Sequence, residues 1–417
     1  MTLNTTPEST VRSPRTTDSS NSPLGWRMIA PVMLAFVTMG FVDIVGTAAN
    51  YVQKDFALSD SQSNLFTTMV FFWFLVFSVP TGVLMGRIGR RRTVLLSIAV
   101  TGLSLLFPLA AYLQPVASVR LVLMVISFVL LGIGNTLMQV SLNPLLSNLV
   151  SADALASSLT LGQFVKAIAS FVGPLIGGWM AAAFGMWWLL YAIYLLIAIV
   201  AYALLAADDI AESTDSETKA TIASCFALLK DAVILLCFIG IICHVGIDVG
   251  INTTAPKILI AKTGQSLATA GSATSIYFLF RTLGALTGGV ALRTLNRKTA
   301  LRICASLMCL SALSFILYVL LPTPISVLFY AGVALVGFGN ANAFSLFLTT
   351  ALLHLPAKKN EVSGLMMMGL IGGAIFPPVM GIASDVLGTQ LGAILVMSIG
   401  IVYIAVVSST RLLFREK

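Results

Sequence analysis

The sequence predicts an all-α membrane protein whose twelve transmembrane helices form two pseudo-symmetric six-helix bundles, and three observations predict it. Of 417 residues, 58% are hydrophobic and only 10% are charged, whereas charged residues make up about a quarter of a soluble domain. The mean hydropathy of +0.98 is an average over the whole chain, so a lone anchor on a soluble catalytic, nucleic-acid-binding or disulfide-rich domain is excluded. A set of residues also recurs about 205 positions later in the chain, as a duplicated unit would require.

A span needs roughly 20 apolar residues, and twelve spans leave about 35 residues for each span and its loop. Residues 1–22 are rich in Ser, Thr and Pro without an apolar core and read as a disordered cytoplasmic tail, not a signal peptide. Helix 1 begins near Met28. Uncharged stretches supply helix 2 (61–86), helix 3 (93–119), helix 4 (121–152), helices 5 and 6 (167–207), helices 9 and 10 (303–357), helix 11 (362–384) and helix 12 (386–410). Pro322 and Pro324 divide the longest of these into two helices and a turn. Helices 7 and 8 begin near Ala232 and Thr263, and each carries ionisable side chains. The polar run 208–219, with Asp208, Asp209, Glu212, Asp215 and Glu217, separates the halves. The expected organisation is therefore a tail (1–22), an N-terminal bundle (23–207), a cytoplasmic linker (208–230), a C-terminal bundle (231–412) and a short tail (413–417).

With the N-terminus inside, 18 of the 24 basic residues fall on the cytoplasmic side, which fixes both termini there. Lys54, Arg120, Lys257 and Lys262 fall outside, and Lys166 and Arg281 fall within spans. The net charge of +8 thus reports topology in an inner (plasma) membrane, and no nucleic-acid partner is implied. Five cysteines in no metal-like spacing read as small core residues, and the absence of a phosphate loop or Cys/His cluster gives no support to ATP-driven pumping.

The repeat is most exact in a basic loop. Gly82, Arg87, Arg91, Arg92 and Thr93 align with Gly288, Arg293, Arg297, Lys298 and Thr299 at an offset of 206. Asp43 in helix 1 corresponds to Asp248 in helix 7 at 205, and Pro174 and Gly177 in helix 5 correspond to Pro378 and Gly381 in helix 11 at 204. Such duplications place a binding site between the halves near the bilayer midplane.

Six plus six helices and the loop from Gly82 to Arg92 resemble the major facilitator superfamily and its motif between helices 2 and 3, with Gly86 where that family usually has an acid. Within the superfamily the chain resembles the fucose:proton symporter group of sugar permeases. The resemblance is strongest in helix 11, from Gly369 through Pro377 and Pro378 to Asp385, and is supported by Leu142, Asn143 and Pro144, by Val245 to Gly250, and by Phe280 to Gly284. It implies the major facilitator fold, alternating access, and switch loops built on Gly82, Arg87, Gly89, Arg91, Arg293 and Arg297. The group's helix 4 acid is replaced here by Gln139, and its helix 1 acid aligns with Gly46, one turn after Asp43.

A charge at the membrane centre costs at least about 2.5 kcal/mol on the lenient insertion scale, so each needs a reason. Asp43, Lys166, Asp248 and Arg281 stand within spans, with His244 as a fifth ionisable group. Asp43 has two readings, a proton carrier or a permanent ion pair with Lys166 on helix 5. Asp248 takes the place of the group's helix 7 acid, and His244, four residues earlier, shares its helix face. The two form a proton relay, or His244 bonds a neighbouring backbone group. Arg281, matching the group's helix 8 arginine, is the natural partner of Asp248. Alternatively, Asp43 and nearby Asn or Thr oxygens coordinate sodium, so the coupling ion is H⁺ or Na⁺ and no other cofactor is expected.

Asn50, Gln139, Asn143, Gln163, Asn252, Asn340 and Asn342 lie in helices 1, 4, 5, 7 and 10, which line the cavity of the superfamily fold. Amides both donate and accept, as polyol hydroxyls require, although any one of them also serves as interhelical glue. Pro144 and the pair Pro377 and Pro378 are expected to break helices and free carbonyls. Trp26, Trp187 and Trp188 fit an interfacial aromatic belt, and Met366 to Met368 a lipid or packing surface. The expected function is import of a monosaccharide by cation symport, H⁺ first, by a protein with a small sugar and the lipid bilayer as partners and acting as a monomer. Alternatives are a drug or metabolite efflux antiporter, suggested by Gly173 to Gly178, a carrier of an anionic sugar acid, suggested by Lys166 and Arg281, and a non-transporting sensor.

Overall fold

The computed structural model describes residues 23–149, 152–208, 221–291, 295–410 and 413. Helix 1 consists of Pro23–Met39, a 3-10 segment Gly40–Ile44, and Val45–Asp55. Helices 2 to 5 are Asp60–Ile88, Arg90–Ala111, Ala117–Leu149 and Ala152–Phe184, and helix 6 is Leu190–Ala207, entered through Trp187–Leu189. A short helix, Ile222–Ala227, precedes helix 7, Ala232–Thr263. Helix 8 is Ser272–Ala291 with a leading turn Leu267–Ala270, and helix 9 is Arg297–Leu320. Helix 10 has two segments, Ser326–Asn340 and Ala343–His354. Helix 11 has three, Lys359–Met368, Gly369–Ile371 and Gly372–Leu387, and helix 12 is Leu391–Ser409. Eleven of these are long and apolar enough to span a membrane; the twelfth, helix 8, carries Arg281. The linker acids beyond Asp208, the N-terminal tail, Arg293 and residues 414–417 lie outside the described residues.

The packing repeats as the sequence does. In the first half, helix 3 lies on helices 4 and 6, helix 2 on helix 4, and helix 1 on helices 5 and 6. In the second half, helix 9 lies on helices 10 and 12, helix 8 on helix 10, and helix 7 on helices 11 and 12. The same six-helix unit therefore occurs twice. The halves meet along a seam in which helix 2 faces helix 11, helix 5 faces helix 8, and helix 1 faces helix 7. Large apolar side chains cover the outside, among them Leu113, Leu196, Val386 and Ile399, a contiguous surface that lipid and not water must cover.

The breaks do not fall at the prolines. Helix 4 runs through Pro144, and Pro377 and Pro378 lie inside Gly372–Leu387. A proline frees the carbonyl four residues earlier, and neighbouring hydroxyls take up the load. Thr68 donates to Ala374 O at 2.7 Å, the carbonyl freed by Pro378, and Thr274 donates to Asn252 O at 3.1 Å, the one freed by Pro256. The actual irregularities are Gly40–Ile44 in helix 1, residues 341–342 in helix 10 and Gly369–Ile371 in helix 11.

One smaller expectation also changes, and another narrows to one of its two readings. Trp187 is buried, its indole N–H donating to Asp55 at 2.8 Å, so it packs the end of the first bundle instead of floating in the headgroups. Met366 and Met368 are fully buried packing residues. All five cysteines are free thiols, four of them buried.

Candidate functional site

The first charge within a span sits where helix 1 changes its winding. Gly40 opens the 3-10 segment, and a Cβ there would lie 2.7 Å from the carbonyl of Lys166, so only glycine allows helix 5 this close. The approach brings Lys166 Nζ to 3.6 Å from Asp43 Oδ2, which also accepts a hydrogen bond from Ser170 at 2.6 Å. In the second half, Arg281 Nη2 lies 3.2 Å from Asp248 Oδ2, and the hydroxyl of Tyr277, one turn before Arg281 on helix 8, donates to Asp248 Oδ1. Each acid thus faces one base, and the four charges cancel in pairs. Removing one member of such a pair strands the other, at a cost of about 3–5 kcal/mol. The pairs are not sealed in: the Arg281 side chain is 26% accessible and that of Asp43 is 11%.

Among the described residues, His244 hydrogen-bonds to Asn340 and to neither acid. Its Nδ1 lies 2.8 Å from Asn340 Oδ1, while Asn340 Nδ2 donates to the His244 carbonyl at 3.1 Å. With the amide nitrogen so engaged, Oδ1 is the acceptor and Nδ1 carries the proton. Both residues are buried, and the break in helix 10 directly after Asn340 lets its amide turn toward helix 7.

The other amides divide into three groups. Asn143 and Gln163 meet across helices 4 and 5 at 3.5 Å, with Gln139 half-buried one turn earlier on helix 4. Asn342 donates to Gly284 O at 2.8 Å and ties helix 10 to helix 8. Asn50 donates to Thr253 O at 3.0 Å and Asn252 to Asp43 O, each crossing the seam from one half to the other. In the switch loop, Gly89 adopts φ 90° between helices 2 and 3, a conformation open to glycine. Arg91 donates to Leu205 O at 3.1 Å and to Ala206 O at 2.8 Å, satisfying the last carbonyls of helix 6. Arg87 is exposed, and Gly82 has open space around it, whereas Gly288 is pressed against the Asn342 amide. Arg297 opens helix 9.

A second cluster is not foreseen from the sequence. At the end of the bundle away from the chain termini, Asp60 heads helix 2. It accepts from Lys257 Nζ at 3.0 Å, from Gln53 at 2.6 Å and from Gln390 at 2.6 Å. Lys257 also reaches Ser63 at 3.1 Å. Asp385 of helix 11 accepts from the backbone N–H groups of Asp60 at 3.1 Å and Ser61 at 2.9 Å, capping helix 2 from the other half. Asn64 donates to Pro377 O at 2.7 Å. The capping box at Ser59 and Gln62 is a readable start signal, but Lys257, Asp385 and Gln390 lie almost 200 residues away or more and leave no local trace. Among the described residues, the side-chain hydrogen bonds that join the halves lie at the midplane or toward this distal end. The molecule is closed there.

Charge pairs held within the spans of two like six-helix bundles fit a membrane transporter and not an enzyme. The sequence profile of the Major Facilitator Superfamily matches residues 32–377 and 237–416, and the chain belongs to that family. It is 25% identical over 408 residues to a glucose/galactose transporter of Brucella abortus, covering 94% of this chain and 95% of that one. It is 24% identical over 375 residues to a putative glucose/galactose transporter of Helicobacter pylori, covering 84% and 88%. Among solved structures it resembles the major facilitator transporter FucP in its outward conformation, with a TM-score of 0.64, 16% identity and coverage of 93% and 98%. It also resembles a D-xylose-proton symporter, with a TM-score of 0.71, 14% identity and coverage of 92% and 96%.

Proposed function

We propose that this protein imports a monosaccharide by cation symport, with proton uptake at Asp43 or Asp248 as the first reading of the coupling. The observation that carries the proposal is the placement of these two acids at equivalent points of helices 1 and 7, each held by one base and partly accessible. Neutralising either acid releases its base, and the pair then no longer ties helix 1 to helix 5 or helix 7 to helix 8. Such a change biases which end of the seam is open. The relatives named as glucose/galactose transporters support a hexose as the substrate, and Gln139, Asn143 and Gln163, close together on helices 4 and 5, supply hydroxyl-binding groups. A neutral sugar fits better than a sugar acid, because Lys166 and Arg281 already face carboxylates. In this reading the basic end of the bundle, with both termini, lies in the cytoplasm, and the membrane is the inner one.

Purified protein in liposomes, given a panel of radiolabelled sugars with and without an imposed pH or sodium gradient, tests the proposal. Gradient-dependent accumulation of a hexose is expected. Equal uptake by protein-containing and protein-free vesicles under every gradient would remove it.

A further inference from the structure

The contact between helices 1 and 7 leaves buried oxygens without partners. Thr47 Oγ1, Asn50 Oδ1 and Asn252 Oδ1 make no hydrogen bond among the described residues, although Thr47, Asn50 and Asn252 are 4%, 4% and 3% exposed. Buried polar atoms are nearly always satisfied, so three at one contact need a reason. Both Asn residues spend their N–H groups across the seam, Asn50 on Thr253 O and Asn252 on Asp43 O, which leaves each Oδ1 as a pure acceptor. Thr47 is also anomalous. A helical threonine ordinarily donates to the carbonyl four residues back, as Thr136 and Thr253 do here, but for Thr47 that carbonyl is Asp43 O, which accepts from Asn252.

These atoms share one face. Asp43, Gly46, Thr47 and Asn50 follow helical spacing along helix 1, and a Cβ at Gly46 would lie 3.0 Å from Asn252 Cγ. Glycine therefore brings the Asn252 amide against this stripe. Whatever meets these oxygens has to satisfy acceptors. A water supplies two donors, whereas a hard cation serves three oxygens and the nearby carboxylate at once. The donor set is two neutral amides and one hydroxyl beside a single carboxylate that is already paired with Lys166, too little charge for a divalent ion.

We infer that Thr47, Asn50 and Asn252 form a binding site for a monovalent alkali cation, shared by the two halves beside Asp43. The ion bridges helices 1 and 7 only while the distal end is closed, so it stabilises that state. Its coupling role rests on the transport reading above; its binding does not.

The test uses the full chain, with sodium as the probe and choline as the control at constant ionic strength and pH. Sodium is expected to raise the thermal unfolding midpoint saturably. Thr47→Val, which loses no hydrogen bond to the protein, is expected to weaken the half-saturating sodium concentration about tenfold or more, as loss of one ligand from a small site does. Asn252→Leu should abolish the response. In liposomes, sodium should lower the sugar KM of the wild type but not of Asn252→Leu. A midpoint equal in sodium and choline would overturn the site, as would a sodium response that both variants retain. If sodium stabilises the wild type through these residues while no sugar is carried under any gradient, the transport reading fails and the cation site stands.

Discussion

At the residue scale, the proposed coupling turns on two acids whose surroundings differ more than their sequence positions suggest. Asp43 is gripped loosely, with Lys166 at 3.6 Å and a serine hydroxyl. Asp248 is gripped by an arginine and a tyrosine on adjacent turns. Lys166 offers a single ammonium at 3.6 Å, whereas Arg281 closes on Asp248 at 3.2 Å with the Tyr277 hydroxyl beside it, so the Asp43 pair is the easier one to open. Asp43→Asn should therefore abolish uphill accumulation of sugar while leaving exchange of labelled for unlabelled sugar across the vesicle wall close to wild type. Parallel assays of concentrative uptake and counterflow check this, and concentrative uptake at the wild-type level would take Asp43 out of the coupling step. The partners of both acids could be read from the sequence, because an isolated charge in lipid demands an opposite one and few were available. The partner of His244 could not: Asn340 lies 96 residues away and is one amide among several in apolar helices.

At the element scale, helix ends and breaks carry the information that composition hides. The number of spans, their order and the loop glycine at position 89 follow from apolar length and turn chemistry. The positions of the breaks do not, because Thr68 and Thr274 repair the proline sites from neighbouring helices, while close contacts with other helices bend helix 1 at residues without proline. Helix 7 shows what an end can do. Asp231 caps it, accepting from Val233 N at 2.9 Å and Ile234 N at 3.1 Å, and its other oxygen meets His354 Nε2 at 3.0 Å on helix 10. Partial burial acts to raise its pKa, but the hydrogen bonds from His354 and the two backbone N–H groups outweigh this and hold the carboxyl below its ordinary value. Stability from this group is then complete above about pH 4 and lost as the pH falls through the lower folded value. Asp231→Ala should lower stability by about 1 kcal/mol, as loss of an N-cap does. Thermal midpoints in detergent should differ between wild type and variant by a constant amount near neutral pH and converge on acidification below that range. A difference that widened on acidification would contradict the assignment.

At the scale of the whole molecule, a small polar cluster joins the halves at the end away from the termini. Asp60 and Lys257 are its core, with Asp385 and Gln390 reaching over from the second half. In the proposed transport cycle this cluster has to come apart each time the distal end opens, so its strength sets the balance between states. Lys257→Met leaves Asp60 in a buried setting without its counter-charge, which destabilises the closed state by up to about 3–5 kcal/mol. The open state, where Asp60 meets water, loses far less. The population should therefore move toward the distal-open form by about tenfold or more. A cysteine placed by Ala374→Cys, at a buried position next to Thr68 behind the cluster, reports the change. A membrane-impermeant thiol reagent applied from the distal side should label it faster in the Lys257→Met background. Asp60→Asn combined with Lys257→Met removes both charges, and since a buried pair replaced as a unit is often close to neutral, labelling should fall back toward the starting rate. Equal rates in all three backgrounds would mean that helix packing, and not this ion pair, keeps the distal end closed.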